Sequence, residues 1–344
     1  MENLPPLGKI PPEFFHRVIY PRLGARDAAV LVKPQHGVDF GVIDLGEQVM
    51  VLSTDPFYIA KELGIERAAW FAVHIIASDV AVSGIRPRFL SVDLNLPPEM
   101  TEPELVAMWE TVHSECEKLG IAVVTGHTAR YAGCNYPMVG GATIIGVDRK
   151  EKLIIPMPKV GDAVIVSKGP AVETTGLMAA YFPKYIEEAH GKDILEQAQK
   201  VYYQMSTVQD ALVAAEAGGV TAMHDATECG VFGGLVEMAE RGQVGMKIDL
   251  DAMILQDVIA KTCDVFSIDP YIAISEGTLL ATAKMNQADG VVKALQAEGI
   301  PASIAGEVVP QSEGMTYRKG GETFPLVHPK IDPFWGTFEE YLSK

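Results

Sequence analysis

The sequence is short of positive charge. Lysine and arginine number 28 against 45 aspartates and glutamates, for a formal net charge of −17. Such a surface repels polyphosphate backbones, so no nucleic-acid partner is expected. A nucleotide remains admissible, because a divalent cation reconciles carboxylates with phosphates. Long apolar runs are also missing. None approaches the roughly 18–20 residues of a membrane span, and the most apolar stretch, 66–83, is interrupted by His74, Ser78 and Asp79. No membrane association is expected. Cysteine is scarce: Cys116, Cys134, Cys229 and Cys263 form neither a CxxC nor a zinc spacing, so reduced thiols are the default. The opening MENLPPLGKIPPEFF lacks the basic-then-apolar plan of a secretory signal, which makes the cytoplasm the expected location. There is no short-period repeat and no low-complexity segment.

What is present is organised around residues 49–97. VMVLSTDPF is an apolar, β-branched run that places Asp55 at the expected tip of a strand. The stretch 66–83 then predicts a helix that is apolar nearly all round, hence buried. A carboxylate inside it, Asp79, must be paired, hydrogen-bonded or bound to a metal, since burying it alone costs several kcal/mol. Gly84 reads as the helix C-cap and Pro87 as its stop. Phe89 to Leu96 alternates, with Leu90, Val92, Leu94 and Leu96 on one face and Phe89, Ser91, Asp93 and Asn95 on the other. That pattern predicts a strand with one core face and one mixed face.

Further along, Thr101 is placed to N-cap a helix through Leu119, with Gly120 after it. A buried strand is expected at 121–125, leading into a loop at Gly126-His127-Thr128, and another strand at 138–147. The polar, Pro-containing stretch 148–160 reads as a domain boundary. Beyond it, GDAVIVSKG (161–169) reads as a strand ending in a Gly-containing turn, and further strands are expected at 220–223, 245–250, 278–284 and 302–309. Helices are expected at 173–185, 193–217 with a break near Ser206, 231–241 and 287–298. His224-Asp225 falls in an expected turn, where Asp225 and Glu228 have capping-box spacing. This alternation argues for α/β or α+β layers in both halves.

Asp27, Asp55 and Asp79 are the acids that carry chemistry if they converge, because clustered carboxylates hold magnesium and, through it, phosphates. Equally, Asp27 and Asp55 can cap turns while Asp79 bonds to backbone. Gly126-His127-Thr128 after a strand suits an anion, or merely turns the chain. Lys168, in Ser167-Lys168-Gly169-Pro170, can neutralise a phosphate or stay solvated. His74 reads as a satisfied core histidine. Cys229, beside a helix N-terminus, reads as a plain buried thiol rather than a reactive one.

Six segments in order carry a family likeness: Asp27-Ala-Ala, Ser53-Thr54-Asp55, Ala72-Val73-His74 with Ser78-Asp79-Val80-Ala81, Gly84-Ile85-Arg86-Pro87, Val124-Thr125-Gly126-His127-Thr128, and Met223-His224-Asp225-Ala226-Thr227-Glu228-Cys229-Gly230. Over residues 24–310 the chain resembles the aminoimidazole ribonucleotide (AIR) synthetase superfamily, with its PurM, HypE, SelD and ThiL branches, and is most similar to the HypE hydrogenase-maturation branch. The resemblance implies a PurM-like two-domain fold. Its N-terminal sheet domain dimerises into a barrel, and a C-terminal α/β domain flanks the cleft. It divides the chain into an arm at 1–25, an ATP-binding, dimerising domain at 26–155, a second domain at 156–325 and a tail at 326–344.

The resemblance also implies ATP and Mg2+ as cofactors and a homodimer. Asp27, Asp55 and Asp79 are then metal ligands, Asp79 and His127 are catalytic, and Asp27, Asp55, Gly126, His127, Thr128 and Lys168 surround the nucleotide. The implied activity is phosphorylation of an amide or carbonyl oxygen on a small or protein-borne acceptor, with hydrogenase maturation as the setting. The alternatives are a kinase like the thiamine monophosphate kinase branch, or a nucleotide-binding module without turnover. There are departures. HypE carries its carbamoyl group on a C-terminal cysteine, whereas this sequence reads Glu340-Tyr341-Leu342-Ser343-Lys344 at its end, so an external acceptor is expected. Gly-Ala-Arg-Asp27 stands where relatives often have Gly-Asp-Asp, the loop after Lys168 is poor in glycine, and the N-terminal Cys or Sec loop of selenophosphate synthetase is absent.

Overall fold

A computed structural model describes residue 10, residues 12–35 and residues 37–344. Part of the expected arm lies outside the described residues; its remainder contains a helical turn, α1 (Pro12–Phe14). The first sheet joins β1 (Val30–Val32), β2 (Gly41–Asp44), β3 (Gln48–Tyr58), β4 (Phe89–Leu96), β5 (Ala122–Arg130) and β6 (Met138–Arg149) in the order β1-β2-β3-β6-β4-β5. All its pairs are antiparallel except β4 with β5.

Helices α2 (Ile65–Ala81) and α3 (Glu102–Leu119) lie against one face of this sheet. On that face Val49, Val51, Phe57, Leu90, Val92, Leu94 and Ile144 are buried. The alternation of β4 therefore orients the strand as the sequence predicts. Thr101 caps α3 in a full capping box with Glu104, and Gly120 takes the left-handed conformation after it. On the opposite face Thr54, Ser91, Asp93, Thr143 and Ile145 are only partly covered or exposed.

Three local expectations change here. β3 continues past Asp55 to Tyr58, so Asp55 lies within a strand rather than at its tip. β5 runs through Gly126-His127-Thr128 to Arg130, so those residues form an edge strand and not a loop. Glycine makes that pairing feasible: a Cβ on Gly126 would sit 2.4 Å from the Val92 carbonyl oxygen. Nor is β5 buried; eight of its nine residues are exposed. Its apolar run predicts core, but at the sheet's edge Val123 and Val124 stay 42% and 54% exposed.

The second sheet joins β7 (Asp162–Ser167), β8 (Val220–Ala226), β9 (Val244–Asp249), β10 (Thr278–Lys284), β11 (Ala302–Pro310), β12 (Met315–Lys319) and β13 (Glu322–Pro325) in the order β13-β12-β9-β11-β7-β10-β8. Around it lie α4 (Val172–Tyr181), α5 (Pro183–His190), α6 (Lys192–Val201), α7 (Val208–Ala217), α8 (Gly230–Gly242), α9 (Asp257–Val265), α10 (Met285–Ala297) and α11 (Pro333–Leu342). β8 extends through His224 and Asp225. The expected capping box therefore does not form, and Cys229 occupies the N-cap of α8 without a side-chain cap. The β12–β13 hairpin, α9 and α11 are additions to the elements read from sequence. α11 is fixed by Asp332, whose carboxylate accepts from the backbone N–H groups of Cys229 at 2.6 Å and Phe334 at 2.9 Å.

The two sheets share a continuous core. Ala163, Ile165, Val208, Ala211 and Met223 pack with α2, α3 and the first sheet. Polar contacts reinforce the junction: Ser78 Oγ accepts from the Thr207 N–H at 2.9 Å, and the Tyr202 hydroxyl donates to the Arg67 carbonyl at 3.0 Å. Among the described residues, no helix is long and apolar enough to cross a membrane.

Candidate functional site

Strand parity directs Ser53 and Asp55 to the face of β3 that meets α2. Helix α2 brings Asp79 to the same place, where its Oδ2 accepts a hydrogen bond from Ser53 Oγ at 2.6 Å. From the second domain, the end of β8 contributes Asp225, the loop before β10 contributes Glu276, and the first turn of α4 contributes Glu173. Glu173 Oε2 accepts from the Glu276 N–H at 3.1 Å. Asp39, just ahead of β2, completes the group through its pairing with His224.

The acids act on one another. Burial pushes the Asp79 carboxyl well above the ordinary carboxylate range, and the charges of Asp225, Asp55 and Asp39 push it further. Asp225 is raised to about 7, first by burial and then by Asp39, with His224 opposing. Glu276 is raised by burial, Asp225 and Glu173. Asp225 and Glu276 are buried and meet carboxyl to carboxyl, and among the described residues no donor from outside the pair reaches the side-chain oxygens of Asp225 or Glu276 Oε1. Buried carboxyl oxygens converging with no cation among them are the donor set of a hard divalent ion, and Mg2+ fits that chemistry.

His224 lies beside this cluster. Its Nδ1 is 2.7 Å from Asp39 Oδ2 and its Nε2 is 3.2 Å from Glu237 Oε2. Burial favours the neutral ring, but Asp39 and Glu237 outweigh burial and raise its pKa well above the ordinary value.

The expected site residues divide. Asp55 and Asp79 come together. Asp27 is exposed, and its Oδ1 accepts from the Ala29 N–H at 2.9 Å, so within one chain it caps its own turn. Gly126 lies in the same cross-strand row as Asp55, through Ala142 and Val92, but three strand spacings away, about 14 Å. His127 pairs in register with Asp93 on the opposite face, and its Nε2 lies 2.8 Å from the Tyr131 hydroxyl. A single chain therefore does not bring Gly126, His127 and Thr128 to Asp79.

Lys168 does not have a solvated ammonium waiting for a phosphate. It is buried, and its Nζ donates to Asp210 Oδ2 at 2.8 Å and to the carbonyls of Ser206, Gly277 and Gln204 at 2.7, 3.0 and 3.2 Å. His74 is a core histidine, stacked on Trp70 and held between Ser206 Oγ and Glu115; burial lowers its pKa. Cys229 is buried, and none of the four cysteines forms a disulfide. In sequence His224-Asp225 stands out only as a turn with capping-box spacing inside the Met223–Gly230 segment of the family likeness, and nothing there marks Asp39, Glu173 or Glu276. Only the adjacency of His224 and Asp225 offered a signal.

Comparison with known proteins identifies the family and the fold. Residues 27–147 match the AIR synthase related protein N-terminal domain, and residues 159–318 match the AIR synthase related protein C-terminal domain. A putative hydrogenase expression/formation protein of Methanocaldococcus jannaschii is 25% identical over 293 residues, covering 80% of this chain and 81% of its own. The carbamoyl dehydratase HypE of Rhizobium leguminosarum bv. viciae is 25% identical over 279 residues, covering 76% and 73%. Among solved structures, Escherichia coli HypE superposes with a TM-score of 0.71 at 23% identity, over 83% of this chain and 87% of that one. HypE in complex with ATP gives 0.67 at 18% identity, over 94% and 93%. A ThiL complexed with AMPPCP and TMP gives 0.66 at 18%, over 83% and 88%. These likenesses establish the shared fold.

Proposed function

The chain belongs to the AIR synthase-related family, and from that premise we propose that it is an ATP-dependent, HypE-like enzyme that phosphorylates an amide or carbonyl oxygen. The observation that carries this reading is the meeting of buried carboxyls, Asp55 and Asp79 from one domain with Asp225 and Glu276 from the other. The named relatives in hydrogenase maturation support that setting.

The acceptor oxygen attacks the γ-phosphorus, ADP departs, and the oxygen becomes a leaving group or the phosphorylated product is released. A magnesium ion held by Asp55 and Asp79 would neutralise phosphate charge and align the transfer. Asp79, whose ionised form burial and its neighbours disfavour, would bind the metal as a carboxylate in the loaded site. Ser53 Oγ fixes its orientation. Lys168 is a positioning residue. It ties β7 to Asp210, to the Gln204 and Ser206 carbonyls and to the loop before β10.

The exposed β5 and the uncovered sheet face call for a second subunit, which closes the edge. Homodimerisation is also the route by which Asp27, His127 and Thr128 reach a shared nucleotide site. The acceptor is a small molecule or a group borne by a protein. Calorimetric titration of ATP with and without Mg2+, followed by product analysis, tests the reading. It expects Mg2+-dependent binding and ADP formation stimulated by an amide-bearing acceptor. A stable phosphorylated metabolite places the chain with the kinases, and intact bound ATP makes it a non-catalytic module.

A further inference from the structure

The segment ahead of β1 finds no cover in its own chain. From α1 the helical backbone continues through a π turn (Phe15–Ile19) and a 3-10 turn (Tyr20–Arg22). Phe14, Phe15, Val18 and Ile19 recur at helical spacing and form one apolar stripe. Yet no residue from Glu13 to Leu31 is buried. A helix this short is marginal in water without packing on such a stripe.

At the far edge of the first sheet, α3 and β5 frame a groove of about 380 Å³, lined by Trp109, His113, Cys116 and Glu117 from α3 and by Ala122 and Val123 from β5. We propose that this groove receives the helical arm, residues 12–23, of a second copy of the chain, so that two subunits exchange arms. The inference rests on the homodimer proposed above and adds to it a specific contact between the arm and α3.

Three observations favour this occupant. The first is apolar complementarity: Val106 and Trp109 are exposed on α3, Val123 is exposed on β5, and together they offer the stripe a surface of its own kind. The second is charge. Within a chain of net charge −17, residues 13–26 carry Arg17, Arg22 and Arg26 against the single acid Glu13. Helix α3 presents Glu102, Glu110 and Glu117 to solvent, and its one basic residue, Lys118, is tied to Glu115 at 2.7 Å. An acidic face beside the groove steers a basic arm to it. The third is position. β1 and β5 are the two outer strands of the sheet, five strand spacings or about 24 Å apart, so the arm leaves its own chain at the edge opposite its own groove. When two copies close their sheets into one ring, the β5 edge of each meets the β1 edge of the other. The arm then arrives where the partner's groove opens.

The test uses the full chain with p-benzoylphenylalanine in place of Phe15, an exposed segment where the change leaves the body of the fold intact. Copies labelled with 15N are mixed with unlabelled copies, allowed to exchange and irradiated, in the presence and absence of phosphatidylserine vesicles. Mass spectrometry should find position 15 of one isotopic form joined to residues 102–123 of the other. In sedimentation, Phe15→Glu should raise the dimer Kd about 10-fold or more. Crosslinks confined to a single chain, crosslinks to lipid in place of protein, crosslinks elsewhere on the partner, or an unchanged Kd in Phe15→Glu would each overturn the proposal. Wild-type sedimentation separates the two readings. A monomer at micromolar concentration removes the homodimer and the exchange together, whereas a dimer whose position 15 crosslinks elsewhere removes the exchange alone.

Discussion

Asp79→Asn separates two roles of one side chain. Asparagine keeps the shape and can still accept the Ser53 Oγ hydrogen bond, but it removes the charge. In the metal-free protein Asp79 is a liability, because burial and the charges of Asp225, Asp55 and Asp39 all disfavour its ionised form. A buried carboxyl among like charges strains the empty fold at neutral pH, and a neutral isostere removes that strain. We expect the variant to gain about 1–3 kcal/mol and, for a chain of 344 residues, to melt about 1–4 °C higher. In the loaded protein the sign reverses. Removing one charged partner of a buried contact costs about 2–5 kcal/mol, so Mg2+-dependent ATP affinity should fall about 30-fold or more. Thermal melts with and without Mg·ATP, paired with calorimetric titration, read both effects. A variant that melts lower without ligand, or that binds Mg·ATP with wild-type affinity, would refute the assignment of Asp79 as a metal ligand.

Metal-free stability should also decline with rising pH. Asp225 is raised from 3.8 to about 7, so the folded chain holds more protons than the unfolded one between those values, and stability falls across that window. His224, raised above its ordinary 6.5, contributes stability below that value and loses it as pH rises through the folded value. Melts from about pH 4 to pH 8 should therefore descend, and Mg2+ should flatten the descent; a flat metal-free profile contradicts the cluster. Val124→Glu, on the exposed β5, should convert a dimer to a monomer in analytical ultracentrifugation; a wild-type monomer at micromolar concentration would remove the basis for a site shared between subunits. Lys168→Met should destabilise the fold by about 3–5 kcal/mol by leaving the Asp210 charge unpaired; equilibrium unfolding in urea reads the loss, and a variant as stable as the wild type contradicts the ion pair.

The sequence by itself determined the local architecture. The period-2 alternation of Phe89–Leu96 set which face of β4 enters the core, and the Thr101–Glu104 box and Gly120 bounded α3. An acid inside the apolar stretch around Asp79 announced a site, because such a charge needs a partner. These are properties of neighbouring residues, read by periodicity and capping chemistry. The tertiary structure decided everything that depends on elements far apart in the chain. It brought Asp225 and Glu276 to Asp79, placed Asp39 against His224 across 185 residues, and used Lys168 to satisfy Asp210. It also left β5 uncovered, although its residues read as core. A short apolar strand looks the same in sequence whether its cover comes from its own chain or from a second one. Which carboxylates meet is fixed by how two sheets pack through a shared core, and no local pattern encodes that packing.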